Sequence, residues 1–257
     1  MTPRMRSVGL RAGSVIILLL VWWIAAKLMH DPDVLPGPAA IAVTIAEDFV
    51  DPGPTGHSAI FHVTLTLGRI FAAFAVSMLV GIAIGLIMGR SRLVEGALLA
   101  VIPLIPTILM VFLAVMWFGF SEAGGLVAVM AVVTPYVAVN IFEGAKAMDK
   151  SLIDMGVAFK AQQPLLIRKV YLPQLMPYIF SAFRYAFGMT WKIVALAETF
   201  GLKFGIGYMF FFWFEQFNMV QVMAWIVMFV VLMLVLEYGV FARLESRAFA
   251  WRGSIAH

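Results

Sequence analysis

Two cations stand where an apolar helix should run. Arg184 and Lys192 fall eight residues apart in the stretch 175–198, which is otherwise uncharged up to Glu198. At 3.6 residues per turn that separation returns to nearby faces of one helix. Bare charge in hydrocarbon is costly, so both side chains should face a bundle interior, a partner helix or water. Near the middle of the stretch, Lys192 either lines a solute path and favours an anion, or is paired with Glu198, Glu237 or backbone carbonyls. Other chemistry is missing. The chain has no G-x-x-x-x-G-K-[ST] phosphate loop, no H-E-x-x-H, no Gly-flanked serine with a histidine partner and no paired histidine ligands. It has no cysteine, so thiolate sites and disulfides are excluded. No catalytic residue and no metal site is expected, and any energy input must come from another chain or an ion gradient. The four histidines, His30, His57, His62 and His257, are expected to be polar loop or interface residues.

A second group lies in the longest polar stretch, 143–173, which holds Glu143, Lys146, Asp149, Lys150, Asp154, Lys160, Arg168 and Lys169. Within it Leu152, Met155 and Phe159 recur at i, i+3 and i+7, with Lys150, Asp154 and Lys160 elsewhere on the wheel. The spacing predicts a short amphipathic helix, which Pro164 should end. Such a helix either lies on a bilayer or docks its apolar face in a groove of a soluble partner.

The elements that must position these groups follow from composition. Of 257 residues 63% are hydrophobic and 12% charged, against about a quarter charged in soluble domains, and mean hydropathy is +0.99. A water-soluble globule is excluded, and the chain reads as one all-α polytopic membrane domain over 1–257. Spans are expected at about 12–30, 70–89, 96–119, 123–142, 175–198 and 221–241. The first is read as an uncleaved helix, since it lacks a convincing cleavage site and carries Trp22 and Trp23 for an interfacial belt. Segment 31–57 reads as an acidic loop with a short helix near 39–49, and 58–69 as an interfacial lead-in. Pro103 and Pro106 interrupt the third span and Pro135 the fourth, freeing carbonyls where a neighbour or a cavity can satisfy them. Residues 201–218 form a Gly- and Phe-rich connection whose aromatic run, Phe210 to Phe214, suits an interfacial anchor or a gate. With both termini cytoplasmic, nearly all Lys and Arg outside the spans lie inside, from Arg4, Arg6 and Arg11 through Arg90, Arg92, Lys150, Arg168 and Lys169 to Arg243, Arg247 and Arg252. The net charge of +4 thus reads as topology, and no nucleic-acid partner is expected.

Taken together, several segments resemble the permease subunits of bacterial ABC importers of the nitrate/sulfonate/taurine type, over nearly the whole chain. Leu35-Pro36-Gly37-Pro38 resembles an LPSP-type segment, and His62 to Arg69 an H-x-x-x-S-L-x-R lead-in. Ile102-Pro103-Leu104-Ile105-Pro106 with Trp117-Phe118-Gly119 resembles a proline pair followed by W-F-G. Ala197-Glu198 with Gly205-Ile206-Gly207-Tyr208 resembles A-E and G-L-G-Y. Counted back from Leu172-Pro173, the family's cytoplasmic E-A-A-x-x-x-G loop falls with Asp154 at the glutamate, Met155 and Gly156 at the alanines, and Lys160 at the glycine.

The resemblance implies a type I importer permease fold in a bacterial inner membrane, with a path for a small solute of the sulfonate or nitrate kind or a related organic molecule. It also implies a second permease subunit, most simply a second copy, a solute-binding protein, and cytoplasmic ATPase subunits that carry ATP and Mg, leaving no cofactor on this chain. Leu152, Asp154, Met155, Gly156, Phe159, Lys160, Arg168 and Pro173 would form the ATPase-coupling segment. Pro103, Pro106, Arg184, Lys192 and Glu198 are the path candidates. If the family glycine serves a positive-φ turn, lysine there costs on the order of 1 kcal/mol, unless the turn is remodelled or Gly156 takes over part of its role. The rival reading is a secondary transporter driven by an ion gradient, for which mid-membrane carboxylates and inverted repeats would be expected.

Overall fold

A computed structural model describes residues 3–89, 96 and 106–241, with 3–12 and 240–241 by backbone course alone. Expectations placed on Arg90, Arg92, Pro103, Arg243, Arg247, Arg252, His257 and the N-terminal arginine side chains lie outside the described residues. The described residues hold helices and no strand. The helices are α1 (Pro3–Met29), α2 (Pro38–Val50), α3 (Ala59–Met88), α4 (Thr107–Phe118), α5 (Glu122–Lys146) and α6 (Lys150–Ala158). A continuous helix, α7 (Gln163–Gly201), contains a π-helical stretch at Ile167–Tyr171, and α8 (Ile206–Glu215) follows. Last comes α9 (Met219–Leu234), prolonged by π-helical turns at Val235–Phe241.

Among the described residues three helices are long and apolar enough to cross a membrane, α3, α5 and the α9 helix through Gly239. Counted together as one span, the pair α7 and α8, bent by 46° at its break, brings the number to four, while Gly13–Met29 and Thr107–Phe118 are shorter apolar helices. The expected short helix at 39–49 is α2, opened by Pro38 in its first turn, where a missing N–H is not needed.

Two boundaries depart from the sequence reading. The lead-in 58–69 and the span 70–89 are one helix, entered through extended Ser58, because nothing between them interrupts the hydrogen-bond ladder. The stretch 143–173 is helical over most of its length, and Pro164 opens α7 instead of ending α6. Proline fits the first turn of a following helix as well as it stops a preceding one.

The core lies between α3, α5 and α7, with α4 against it. Ile70, Phe74 and Met78 face Val129, Val133, Val137 and Ile141 at four-residue intervals, and Ala186, Phe187, Ile193 and Val194 close the third side. Small residues set the α3–α5 distance. A Cβ at Gly81 would stand 2.6 Å from Val137 Cβ, and one at Gly85 2.5 Å from the Ala138 carbonyl. Close backbone approach of this kind replaces the missing hydrophobic drive between helices in lipid. Outward faces stay apolar, as at Leu18, Leu79 and Val231.

The bundle has two distinct ends. At one, Arg69 of α3 meets Glu122 of α5 and Glu198 of α7. At the other, Met88, Ala138 and Phe142 pack together and Gly144 rests on Tyr178.

On the first end α2 packs on α9. Gln221 Nε2 donates to Asp48 Oδ1 at 3.2 Å, while Asp48 Oδ2 is buried with no hydrogen-bond partner among the described residues. Burial raises the Asp48 pKa, the Gln221 bond opposes this, and Glu47 adds to it. The docked state therefore favours the protonated acid. Docking of α2 should tighten as pH falls through the raised pKa and level off below the ordinary carboxylate range. Amide exchange along α2 should slow accordingly, and Asp48→Asn should abolish that pH dependence.

Candidate functional site

The sequence that resembled H-x-x-x-S-L-x-R becomes one face of α3. His62, Thr66 and Arg69 recur at i, i+4 and i+7, which aims all three into the bundle. Thr66 and His62 are fully buried, and the Arg69 side chain is 11% exposed. Opposite them stands Glu198, near the end of α7 and 0% exposed.

Every acceptor of that carboxylate is used. Arg69 Nη1 donates to Oε1 at 2.7 Å, the Thr66 hydroxyl donates to Oε1 at 2.8 Å, and the Gly207 N–H donates to Oε2 at 3.0 Å. Thr66 Oγ1 in turn accepts the Ile206 N–H at 3.0 Å. Gly205 has φ +122, and a Cβ there would overlap the Glu198 carboxyl, so only glycine lets the chain wrap this closely. The segment matching G-L-G-Y is thus a backbone collar on a buried acid.

His62 completes the joint. Its Nδ1 accepts the Gly205 N–H at 3.1 Å, which requires the proton on Nε2, and Nε2 lies 2.9 Å from Thr55 Oγ1. The ring packs edge-on against Trp225 at 5.6 Å. His62 is therefore not the loop or interface residue expected; it sits inside α3 and ties the segment before α3 to the α7–α8 turn. Arg69 also donates from Nη1 to the Phe204 carbonyl at 2.5 Å and pairs through Nε and Nη2 with Glu122, whose side chain is 65% exposed.

Of the expected path residues, Glu198 is buried in this joint and is not Lys192's partner. Lys192 is exposed, with Nζ 5.4 Å from the Trp191 ring centroid, and makes no ion pair among the described residues. Arg184 is exposed on α7, beside Tyr185, whose ring lies 5.3 Å from that of Tyr136. Pro106 is exposed and caps α4. Pro103 lies outside the described residues.

At the opposite end, α6 and the turn after it form a compact unit. Asp149 caps α6, its side chain accepting from the Ser151 N–H, and the hydrogen bonding at Ser151 holds its carboxyl below its ordinary pKa. Gln174 Oε1 accepts the Asp149 N–H at 2.7 Å and ties the unit to α7.

The helix ends in paired bonds from Lys160 N–H to the Val157 carbonyl and from Ala161 N–H to the Gly156 carbonyl. That is the Schellman pattern, and it places Lys160 at φ +50. The turn is neither remodelled nor taken over by Gly156: lysine itself occupies the left-handed position. Gly156 has a separate task, since a Cβ there would overlap the buried Leu166 side chain. Lys160→Gly should stabilise this turn by about 1 kcal/mol, read as slower amide exchange at 159–161.

Leu152, Asp154, Met155, Phe159, Lys160, Arg168 and Pro173 are all exposed, with Met155 51% and Phe159 80%. An apolar helix face is thereby left uncovered.

Sequence reasoning missed Arg69, Thr66, His62 and Glu122 as a group. The signal was present in the i, i+4, i+7 spacing of three polar residues in an apolar helix.

A family profile described as binding-protein-dependent transport system inner membrane component matches residues 77–249. The chain is 29% identical to the taurine transport system permease protein of Escherichia coli (strain K12), over 98% of this chain and 93% of that one. It is 28% identical to the putative aliphatic sulfonates transport permease protein of Bacillus subtilis (strain 168), over 93% and 86%. A solved amino acid ABC transporter chain superposes with a TM-score of 0.53 at 21% identity, covering 70% of this chain and 91% of that one.

Proposed function

This chain belongs to the family of binding-protein-dependent transport system inner membrane components and is the transmembrane subunit of an ABC importer, and from that premise we propose how it is assembled and what it carries. Six spans leave both termini in the cytoplasm. The joint around Glu198 then lies at the outer end and α6 at the inner end. Two copies of the chain enclose the path, a solute-binding protein delivers to the outer end, and ATPase subunits dock on α6. ATP and Mg belong to those ATPases.

The observation that carries this reading is the uncovered apolar face formed by Leu152 and Met155 of α6 with Phe159 at its C-cap, on a turn held by the paired bonds from Lys160 and Ala161. A preformed helix with exposed anchors suits insertion into a groove of a soluble partner. Asp154, Gly156, Lys160, Arg168 and Pro173 shape and flank it. ATP-driven closure of the ATPases would rock the two bundles through this unit and switch access across the membrane.

The path reading rests on α7. Arg184 and Lys192 stand about 12 Å apart along the axis at 1.5 Å per residue, both exposed in a single chain. Such cations are tolerated facing water or a second subunit, and they favour an anion. The solute is a small molecule bearing an oxyanion group, in keeping with the taurine and sulfonate names of the relatives. Uptake of such a solute should continue on ATP after an uncoupler collapses the proton gradient. Uptake that stops with the gradient would instead favour a secondary transporter.

A further inference from the structure

The Arg69 guanidinium has two edges in different surroundings. Nη1 is committed to the interior, to Glu198 and the Phe204 carbonyl. The other edge, Nε with Nη2, is a planar two-donor fork beside a cavity of about 430 Å³ between α3, α5 and α7. Thr64 and Gly68 also line that cavity, and Leu126, Val129 and Ala197 give it apolar walls.

The fork is filled by Glu122, with Nε to Oε2 at 2.8 Å and Nη2 against Oε1. This two-point grip is how arginine holds a carboxylate, a sulfonate or another oxyanion. Glu122 is an unusual occupant, because its side chain is 65% exposed whereas Glu198 is fully buried. Ser121, not Glu122, caps α5, its Oγ accepting the Gly124 N–H. Glu198 is held by Thr66, Gly207 and Arg69 Nη1, and none of these bonds involves Glu122. Arg69 is thus held rigidly from behind and presents a preorganised fork in front.

We propose that this fork is a binding seat for a small oxyanion, with Glu122 as an internal stand-in that the oxyanion displaces. The apolar walls would take the organic remainder of such a solute. This deepens the transport reading and rests on it for its physiological meaning, though the seat itself requires no ATPase.

Ethanesulfonate titrated calorimetrically into the full chain, purified in detergent, tests the seat. Glu122→Ala should bind it about fivefold more tightly than the unaltered chain, the most that removing a competing exposed ion pair releases, and Glu122→Asp, which keeps a competing carboxylate, should stay near the unaltered value. Ethylammonium should bind none of the three. The seat is refuted if Glu122→Ala, with helix content and elution unchanged, binds ethanesulfonate no more tightly. It is equally refuted if Glu122→Asp gains as much as Glu122→Ala. Tight binding by Glu122→Ala together with a lack of ATP-driven uptake would count against the transport reading and leave the seat standing.

Discussion

Arg69→Met should destabilise the chain by about 3–5 kcal/mol, because it strands the Glu198 carboxylate in the interior. The remaining donors, Thr66 and Gly207, supply two hydrogen bonds but no charge. Replacing both partners with apolar residues, as in Arg69→Met with Glu198→Met, should cost less than the sum of the single changes, since no unpaired charge remains. Glu122→Ala should cost no more than about 1 kcal/mol, as expected of a solvent-exposed partner. Denaturant unfolding in detergent, followed by circular dichroism, gives all four values. Equal costs for removing Glu198 and Glu122 would show that burial does not separate their roles.

The second large effect concerns α6. Met155→Asp and Phe159→Asp should each weaken ATPase association by about 2 kcal/mol or more, roughly thirtyfold, as expected for truncated or charged anchors at the centre of an interface. Both side chains are exposed, so the chain itself should fold and insert normally. Leu166→Asp should instead disrupt the unit, because Leu166 is buried against Gly156. Binding of purified ATPase to reconstituted variants, with thermal unfolding alongside, distinguishes the two kinds of loss. Unchanged binding in both exposed variants would remove α6 as the docking element.

Much of this arrangement was legible in residue order. Hydropathy gave the all-α class, and the spacing of Leu152, Met155 and Phe159 gave the amphipathic α6. The lysine at a family glycine drew attention to the turn after Phe159, where the backbone does take positive φ. Other features were hidden because they depend on long-range pairing. Nothing local joins Arg69 to Glu198, 129 residues away, so Glu198 reads as a path residue and Arg69 as the end of an interfacial lead-in. His62 read as polar surface because one histidine carries no periodicity of its own, and only with Thr66 and Arg69 does an inward stripe emerge. Pro164 marks a helix boundary in either direction, and its neighbours did not say which helix it opened.

The central claim is that this membrane chain works under a separate ATPase. It is tested most directly by purifying the chain from native membranes in mild detergent, after crosslinking, and identifying its companions by mass spectrometry. An ATPase bearing a P-loop, crosslinked through α6, should be recovered together with a solute-binding protein. Recovery of the chain without any ATPase, reproduced across crosslinkers, would contradict it.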